Sequence, residues 1–354
     1  MFCILYWNIS IIVLNIVGYK YTITALAHVS AKNIVSYEWQ IIEKISETPN
    51  TNTYVLSPTS SSQRFAFRIG EFVTLQVLLK RPTMSGNYEE DMVERAYSIA
   101  SSPLRSSMEL TIKKEKPYGY INPVTGKADG FAAYFFEQIK VGDKIKLKPD
   151  PRKDHFLSKV AAGIEKDVSY WSGSNGAESA RCLIQFMEDT KEPDLKLTLF
   201  YSNPYLYTFG TDGGSGNGEK IVNVMYYEWL IEMAKKMENN LRLVFSFTRE
   251  KEELLPSNND NQIFYRRRRF FVDANGKEER TLSIYHENPQ MCFNPICGSS
   301  GFISGAVRLP SGTIERRNGI MQYLMQLENV KRGKIDVEQY YLESVAANPE
   351  NIQH

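Results

Sequence analysis

Cysteine and histidine are scarce in this chain of 354 residues, which has four of each. The cysteines are Cys3, Cys182, Cys292 and Cys297. Their spacing fits neither a zinc site nor an iron–sulfur site, since both need clustered thiolates, and they are too few for a disulfide framework. No two histidines stand at metal-ligand spacing. The sequence therefore predicts no metal site, and it favours a reducing, cytoplasmic location for the main part of the chain.

An excess of charge is also absent, because 42 Lys and Arg face 41 Asp and Glu and the net charge is +1. That balance gives no electrostatic basis for nucleic acid as a partner. The chain has no Gly-x-Ser-x-Gly elbow and no Gly-x-x-x-x-Gly-Lys-Ser/Thr loop, which argues against a serine hydrolase and a P-loop enzyme. The length corresponds to about two domains.

Charged residues are missing from residues 1–19, which are mostly apolar. At the rise of a helix this stretch is just long enough to span a bilayer, although Asn8 and Asn15 weaken that interpretation. Ala25-Leu26-Ala27 resembles a signal-peptidase site, but no basic residue precedes the apolar run. Three interpretations stay open for residues 1–34: an extension created by a start codon placed too early, a membrane anchor, or a signal peptide. Membrane association is thus the alternative to a purely cytoplasmic protein.

Short runs of alternating apolar and polar residues dominate the chain from residue 35 to about residue 148. With turn residues between them, strand-like segments recur at residues 52–56, 72–79, 108–114 and 144–147. Several short strands at such spacing predict a small antiparallel barrel. We therefore expect a β-barrel domain over residues 35–156.

The pattern changes after residue 156, where strand-like and helical segments alternate. Strands are predicted at residues 167–172, 195–201 and 241–248, and helices at residues 177–189 and 225–237. Such alternation is typical of a parallel α/β sheet. We expect an α/β domain over residues 157–345, followed by a tail at residues 346–354.

The segment Arg95-Ala96-Tyr97-Ser98-Ile99-Ala100-Ser101 combines a cation, an aromatic ring and two hydroxyls in a short strand-like run. Arg95 and Tyr97 alternate, so both side chains leave the same face of a strand. A guanidinium binds phosphate through its fork of N–H donors, and a neighbouring phenol ring covers a planar ligand. The small residues that follow let backbone amides approach a ligand.

This segment resembles the Arg-x-Tyr-Ser flavin-binding signature of the ferredoxin–NADP reductase-like family. The resemblance covers roughly residues 35–345 and implies an antiparallel flavin-binding β-barrel followed by a parallel-sheet α/β nucleotide-binding domain. By this resemblance Arg95 holds the flavin pyrophosphate, Tyr97 packs on the isoalloxazine ring and Ser98 lies near flavin N5. The rest of the flavin-binding segment is then Ala96, Ile99, Ala100 and Ser101.

Gly130-Phe131-Ala132-Ala133 stands where the resembled family has a Gly-x-x-Ser stretch that begins a short helix. The first amides of a helix lack backbone partners, so a helix N-terminus attracts anions. The resemblance implies that these amides face the flavin pyrophosphate, with Ala133 in place of the hydroxyl residue. Family barrels with such a helix usually hold FAD, which favours FAD over FMN as the cofactor.

Gly173-Ser174-Asn175-Gly176 joins a predicted strand to a predicted helix, which is the right context for a nucleotide pyrophosphate. It resembles the glycine loop with which the family binds NADPH or NADH, although Ser179 replaces the usual Pro and Glu178 adds a negative charge. Cys297-Gly298 resembles the family's Cys-Gly-Pro turn, with Ser299 in place of the Pro. By this resemblance Cys297 lies near the nicotinamide C4 and the flavin N5.

Ser202 and Arg249 bear on the choice between the two nucleotides. Family members that use NADPH commonly place a Ser and a nearby Arg at the end of the second strand, where they bind the 2′-phosphate. Ser202 stands there without an Arg directly after it, and Arg249 offers a cation from the next strand. The acidic residue that would favour NADH is absent. The choice stays open, with a lean towards NADPH.

The resemblance implies a flavin-dependent oxidoreductase that transfers hydride between NAD(P)H and FAD, with Ser98 and Cys297 at the reacting atoms. The chain has no iron–sulfur motif, so we expect a separate electron acceptor: a ferredoxin, a cytochrome or a small oxidant. The alternative is a flavin-binding electron-relay subunit without a working nicotinamide site. Glu178, Ser179 and the altered Cys-Gly turn favour that alternative.

Overall fold

The structure, a computed structural model, describes residues 14–16, 19–21, 35–82, 88–113, 136, 138–150, 156–209, 220–257, 262–267, 270, 292–303, 305–308, 314–316, 319–326 and 335–340. The chain divides into an N-terminal unit, residues 1–35, and a second unit, residues 36–354. The N-terminal unit contains an antiparallel hairpin of β1 (Leu14–Ile16) and β2 (Tyr19–Tyr21). Most of the stretch for which an anchor or a signal peptide was considered lies outside the described residues. Within the described part of the chain, no helix has the length and apolar character to cross a bilayer.

The first sheet of the second unit contains six antiparallel strands. These are β3 (Tyr37–Thr48), β4 (Thr51–Pro58), β5 (Phe72–Pro82), β6 (Tyr88–Ser98), β7 (Met108–Lys113) and β8 (Lys144–Pro149). Their order is β6-β5-β8-β3-β4-β7, and a bridge between Ile99 and Leu110 brings the two edges together. The predicted antiparallel barrel is therefore confirmed. Its interior is filled by alternate residues of the strands, among them Trp39, Ile41, Leu56, Val73, Leu75, Leu110 and Leu147.

The second sheet contains six parallel strands in the order β14-β13-β10-β9-β15-β18. They are β9 (Asp167–Gly173), β10 (Lys196–Asn203), β13 (Leu241–Phe247), β14 (Ile263–Arg266), β15 (Asn294–Ser299) and β18 (Ile335–Tyr340). Two small hairpins accompany the sheet: β11 (Tyr207–Phe209) with β12 (Lys220–Val222), and β16 (Ala306–Arg308) with β17 (Ile314–Arg316). This confirms the predicted parallel α/β domain.

Five described helices belong to this part of the chain. They are α1 (Ser158–Ala161), α2 (Ala177–Thr190), α3 (Tyr227–Lys236), α4 (Ser300–Ile303) and α5 (Ile320–Gln326). The helix predicted over 177–189 is confirmed as α2. The helix predicted over 225–237 begins later, at Tyr227, because Tyr226 has a left-handed φ of 62°. Both faces of the sheet are covered, with Tyr170 and Leu199 on one side and the stacked rings of Trp171 and Phe200 on the other.

The barrel strands span residues 37–149 and the parallel strands span residues 167–340. The boundaries placed at residues 156 and 345, and the tail at residues 346–354, stay predictions.

Helix α2 connects the two sheets through a buried ion pair. Nε and Nη2 of Arg181 both lie 2.9 Å from Oε2 of Glu109, a residue of the barrel strand β7. The guanidinium also lies 4.5 Å from the ring centres of Tyr226 and Trp229. A cation between two aromatic rings is stabilised by their negative faces. The barrel is thus fixed against the helix that follows the candidate nucleotide loop.

A second set of contacts extends this interface along α2. The backbone N–H of Ser102 donates to Oε1 of Gln185 at 3.0 Å, and the thiol of Cys182 donates to the carbonyl of Ser101 at 2.9 Å. Arg105 reaches the exposed end of the helix, where its guanidinium pairs with Glu188 and Asp189. Residues that directly follow the Arg-x-Tyr-Ser motif therefore dock the helix onto the barrel.

Candidate functional site

Arg95, Tyr97 and Ser98 are the last residues of β6, where the sequence predicted a strand. Arg95 is paired with Leu75 of β5 and Tyr97 with Val73, so the two side chains share a face. Both are half-buried, and the ring of Tyr97 meets that of Phe136 edge-on at 5.6 Å. Ser98 is buried. Arg95 and Tyr97 thus share one face of the strand end, and the buried hydroxyl of Ser98 leaves the other face.

Ile99, Ala100 and Ser101 have a different environment from the motif residues before them. Their side chains are fully buried, and the backbone N–H groups of Ile99 and Ala100 already donate to the carbonyls of Glu71 and Glu109. The hydroxyl of Ser101 accepts from the N–H of Glu109 at 2.9 Å. These two N–H groups are therefore already hydrogen-bonded within the barrel. A role of Ile99, Ala100 and Ser101 in binding flavin stays a prediction.

Ala96 alternates with Arg95 and Tyr97 and lies on the exposed face of β6. The remaining predicted flavin residues, Gly130, Phe131, Ala132 and Ala133, lie outside the described residues. The proposed helix N-terminus at that place stays a prediction.

The predicted nucleotide loop lies at the carboxyl end of β9, which has β10 on one side and β15 on the other. Gly173 ends the strand, and a single 3-10 turn, Ser174–Gly176, leads into α2. The chain passes from β9 to its neighbour β10, whereas its neighbour on the other side, β15, comes much later in the sequence. The carboxyl end of β9 is therefore the topological switch point of the sheet. Ligands of open α/β sheets bind at such a point.

Three glycines let this loop pack closely against the end of β15. A Cβ added at Gly176 would lie 2.1 Å from the carbonyl oxygen of Cys297, so only glycine fits there. Added at Gly173 or Gly298, it would lie 2.6 or 2.9 Å from the ring of Phe302. The two glycine motifs predicted in separate parts of the chain are therefore brought together.

Cys297 lies at the predicted strand end and pairs with Ser172 of β9. It is 0 % exposed, as is Ser172, whose hydroxyl has no hydrogen-bond partner among the described residues. The switch point thus contains a buried thiol next to an unsatisfied hydroxyl. Glu178, in the first turn of α2, is only 3 % exposed, so its carboxylate is turned into the protein rather than towards the surface of the loop.

A polar cleft of about 180 Å³ lies between the barrel and this edge of the parallel sheet. Its walls are Thr48, Asn50, Thr51 and Lys113 from the barrel and Ser174, Tyr201, Asn203, Pro204, Tyr205, Asn223, Met225 and Arg249 from the α/β part. Two cations and no carboxylate are among them, so the cleft attracts anions. We call it the coenzyme cleft.

Lys113 lines the coenzyme cleft from the barrel side and contacts the opposite wall. Its Nζ donates to the hydroxyl of Ser174 at 3.0 Å. Ser174 has a left-handed φ of 52°, a conformation that is unfavourable for a residue other than glycine. Strained backbone of this kind is concentrated at functional sites. Sequence analysis missed Lys113, although its place at the end of a predicted strand is a signal that could have found it.

Of the two residues proposed to select the nucleotide, one lines the coenzyme cleft and the other does not. Arg249 lines the coenzyme cleft, with its backbone N–H bonded to the carbonyl of Pro204 at 2.9 Å. Ser202 does not line it, because Tyr201 and Asn203 occupy the cleft side of β10 and strand residues alternate in direction. Asn203, which the sequence analysis also missed, donates to the carbonyls of Tyr205 and Asn223 at 2.8 Å and holds the cleft wall together.

These groups fit the two cofactors that the resemblance implies. A phosphate would find guanidinium and ammonium donors in the coenzyme cleft. On β6, Arg95 and Tyr97 offer a charged fork and a ring face side by side. The cations can bind the phosphates of a cofactor, and the ring of Tyr97 can cover its planar part.

Solved structures with the same fold are known, although no protein-family model and no curated protein matches the chain. The FAD/NAD-binding domain of a Vibrio cholerae nitric oxide dioxygenase aligns at 15% identity and a TM-score of 0.54, over 86% of this chain and 98% of that domain. A Malassezia yamatoensis flavohemoglobin with bound FAD and heme aligns at 16% and 0.54, over 87% and 61%. The Plasmodium falciparum ferredoxin–NADP+ reductase with 2′P-AMP aligns at 14% and 0.52, over 86% and 96%. The fold is thus that of the ferredoxin–NADP reductase-like flavoproteins.

Proposed function

We propose that this protein is a flavin-dependent oxidoreductase that binds FAD on the barrel and NAD(P)H at the edge of the parallel sheet. The observation that carries the proposal is the coenzyme cleft, where Lys113 of the barrel meets Ser174 at the switch point in surroundings that favour anions. Arg95 and Tyr97, side by side on one face at the end of β6, support a flavin on the barrel. The similar solved structures, one with bound FAD and one with 2′P-AMP, support the same pair of ligands.

Each side chain has a separate task in this proposal. Arg95 binds the flavin pyrophosphate through its fork of donors, Tyr97 covers the ring and Ser98 offers a hydroxyl beside it. When bound, a flavin supplies the ability to take two electrons from a hydride donor and release them singly. The barrel residues position that group and shield it from water.

The nicotinamide nucleotide would be held from both sides of the coenzyme cleft. Lys113 and Arg249 bind its phosphates, and the backbone of the loop from Gly173 through Ser174 and Asn175 to Gly176 lies against its pyrophosphate. Gly298 lies beside this loop and against the ring of Phe302, and Cys297 lies beneath the place where the nicotinamide ring is expected. Two cations without a carboxylate favour NADPH over NADH, because the additional 2′-phosphate adds negative charge.

We further propose that electrons pass to a separate acceptor in the cytoplasm, either a ferredoxin, a cytochrome or a small oxidant. The chain has no clustered cysteines with which to hold an iron–sulfur centre of its own.

Anaerobic mixing of the full chain with NADPH, and separately with NADH, tests the proposed function. We expect the purified protein to carry FAD and its flavin absorbance to bleach rapidly with at least one nucleotide, with NADPH the faster. A protein that retains flavin but is bleached by neither nucleotide would support the electron-relay alternative instead. A colourless protein that binds neither FAD nor FMN would overturn both.

Replacing Arg95 by alanine should weaken flavin retention by roughly 10- to 100-fold. The physical reason is the loss of a charge-assisted hydrogen bond to phosphate, worth about 1.5–3 kcal/mol. The flavin content after dialysis against increasing ionic strength measures the effect. Arg95→Lys keeps the charge but loses the fork of donors, so its flavin content should lie between that of the parent chain and that of Arg95→Ala. Arg64→Ala removes the same charge from another part of the barrel and should leave the flavin content unchanged. Full flavin content in Arg95→Ala would show that the phosphate is bound elsewhere.

A further inference from the structure

Asn50 belongs to the short turn that joins β3 to β4, on the barrel wall of the coenzyme cleft. The loop has only two residues, Pro49 and Asn50, since Thr48 pairs directly with Thr51. The proline ring fixes the φ of Pro49 at about −65°, which excludes the type I′ and II′ turns that suit the twist of a hairpin. The strands accommodate this turn with a register shift between Ser46 and Thr48. Such irregularities redirect side chains and are frequent beside active sites.

The side-chain amide of Asn50 is held in one orientation by its two neighbours. Its Oδ1 accepts from the hydroxyl of Thr48 at 2.9 Å and from that of Thr51 at 3.3 Å. The amide nitrogen, with two N–H donors, takes the opposite direction. Those donors bond to no residue in the described part of the chain, and the nitrogen is not sealed inside the protein. Asn50 is half-buried and lines the coenzyme cleft, so it offers both donors to a ligand there.

The place of Asn50 in the barrel sets it beside the cation of the same wall. Thr51, the next residue, pairs with Lys113 at the end of β7. Nζ of Lys113 donates to Ser174, in the loop where the pyrophosphate of the nucleotide is proposed to lie. An ammonium and a primary amide side by side supply donors to neighbouring phosphate oxygens. Arg249 belongs to the opposite wall, so the two barrel donors serve a different part of the nucleotide.

We propose that Asn50 binds the pyrophosphate of the nicotinamide nucleotide, donating N–H hydrogen bonds from the barrel while Lys113 supplies the charge. This proposal rests on the proposed function, because it assigns a further residue to the same cleft. An uncharged amide makes the same contact with NADPH and with NADH, since both nucleotides contain the pyrophosphate. Arg249 is expected instead to favour the nucleotide with the additional 2′-phosphate. Asn50 therefore raises the affinity for both nucleotides without selecting between them.

Asn50→Asp separates ligand binding from the ordinary role of asparagine in a turn. A carboxylate oxygen still accepts from Thr48 and Thr51, and Asp also suits turns, so the flavin content and the melting temperature should stay unchanged. The two N–H donors are lost, and a negative charge faces the phosphates. In calorimetric titrations of the full chain, we expect NADP+ and NAD+ to bind at least about tenfold more weakly, each by the same factor within about twofold.

Two further variants separate the lost donors from the added charge. Asn50→Ser removes the amide without adding charge and should weaken the binding of both nucleotides roughly three- to tenfold, the effect of a lost hydrogen bond. Asn52→Asp is the matched control, because Asn52 is also half-buried and belongs to the same hairpin but does not line the coenzyme cleft. At physiological ionic strength it should change the affinities by less than about threefold, since solvent and salt screen the added charge.

Unchanged affinities in Asn50→Ser, or equal losses in Asn50→Asp and Asn52→Asp, would overturn the assignment of Asn50. A loss confined to NADP+ would also overturn it, because the contact would then be with the 2′-phosphate. If the parent chain binds both nucleotides and Asn50→Asp binds them equally well, this assignment alone fails. If the parent chain binds neither nucleotide, the proposed function fails and the assignment of Asn50 fails with it.

Discussion

Replacing Arg181 by leucine is expected to lower the free energy of unfolding by about 3–5 kcal/mol. The change leaves the Glu109 carboxylate, only 9 % exposed, buried without its counter-charge, which is among the costliest single substitutions known. It also removes the cation from between the rings of Tyr226 and Trp229. Because Arg181 belongs to α2 and Glu109 to the barrel, the loss acts on the contact between the two sheets.

Urea denaturation of the variant and of two controls measures this effect. The double variant Arg181→Leu/Glu109→Leu should recover most of the lost stability, since a buried ion pair replaced as a whole by apolar groups is often neutral. Arg105→Leu removes an arginine from the same interface, but its ion pairs are partly exposed and should contribute about 0–1 kcal/mol. Equal losses in Arg181→Leu and Arg105→Leu would show that the buried pair carries no special weight.

Tyr226 supports the same interface through a chain of hydroxyls. Its OH donates to the hydroxyl of Thr111, which lies 2.7 Å from that of Thr53, and Thr53 donates to Glu47 at 2.7 Å. Burial raises the pKa of Tyr226 well above its ordinary value, so the phenol keeps the proton that it donates. Three hydroxyls and a carboxylate are therefore joined in one hydrogen-bonded chain at this interface.

Gly176→Ala should slow nucleotide-driven flavin reduction at least tenfold while leaving the flavin content unchanged. The added methyl would lie 2.1 Å from the carbonyl oxygen of Cys297 and 2.7 Å from its carbon. Neither atom is the end of a flexible side chain, so the loop Ser174–Gly176 must move away from β15. Overpacking of this kind costs about 1–3 kcal/mol of stability. Flavin is unaffected in this expectation because Arg95 and Tyr97 lie on a different sheet.

Stopped-flow absorbance with NADPH measures the rate, and Gly163→Ala is the matched control. Gly163 has a φ of +69° with no atom within 4 Å of an added Cβ. Its substitution should cost roughly 1–2 kcal/mol through backbone strain alone and leave the rate unchanged. A rate in Gly176→Ala equal to that in Gly163→Ala would mean that the packing of the loop on β15 does not matter for the nucleotide.

Local periodicity predicted several of the central elements of this chain, although strands such as β3 and β18 were not among them. The alternation over residues 108–114 corresponds to β7, and the helical spacing over residues 177–189 corresponds to α2. Both could be predicted because the period of apolar residues depends only on positions close together in the sequence. The order of elements then specified a barrel followed by a parallel sheet. The ends were less well predicted where a single residue such as Tyr226 takes a left-handed conformation.

The direction of one side chain, that of Ser202, made the predicted set of site residues differ from the residues that line the coenzyme cleft. Ser202 has the right chemistry for a phosphate but lies on the opposite side of β10 from Tyr201 and Asn203, which line the coenzyme cleft. A shift of one residue along a strand reverses the face. The sequence can place a residue at a strand end, but the face that is buried depends on what packs against the strand.

The sequence by itself determined the types of element, their order and the position of the motifs at strand ends. Only the tertiary structure decided which residues meet: Lys113 with Ser174, 61 positions apart, and Arg181 with Glu109, 72 positions apart. Gly176 likewise meets Cys297 only because β15 is inserted beside β9 in the sheet. The physical reason is that periodicity records the burial of each residue but not the identity of its distant neighbours, which are set when the two sheets pack together.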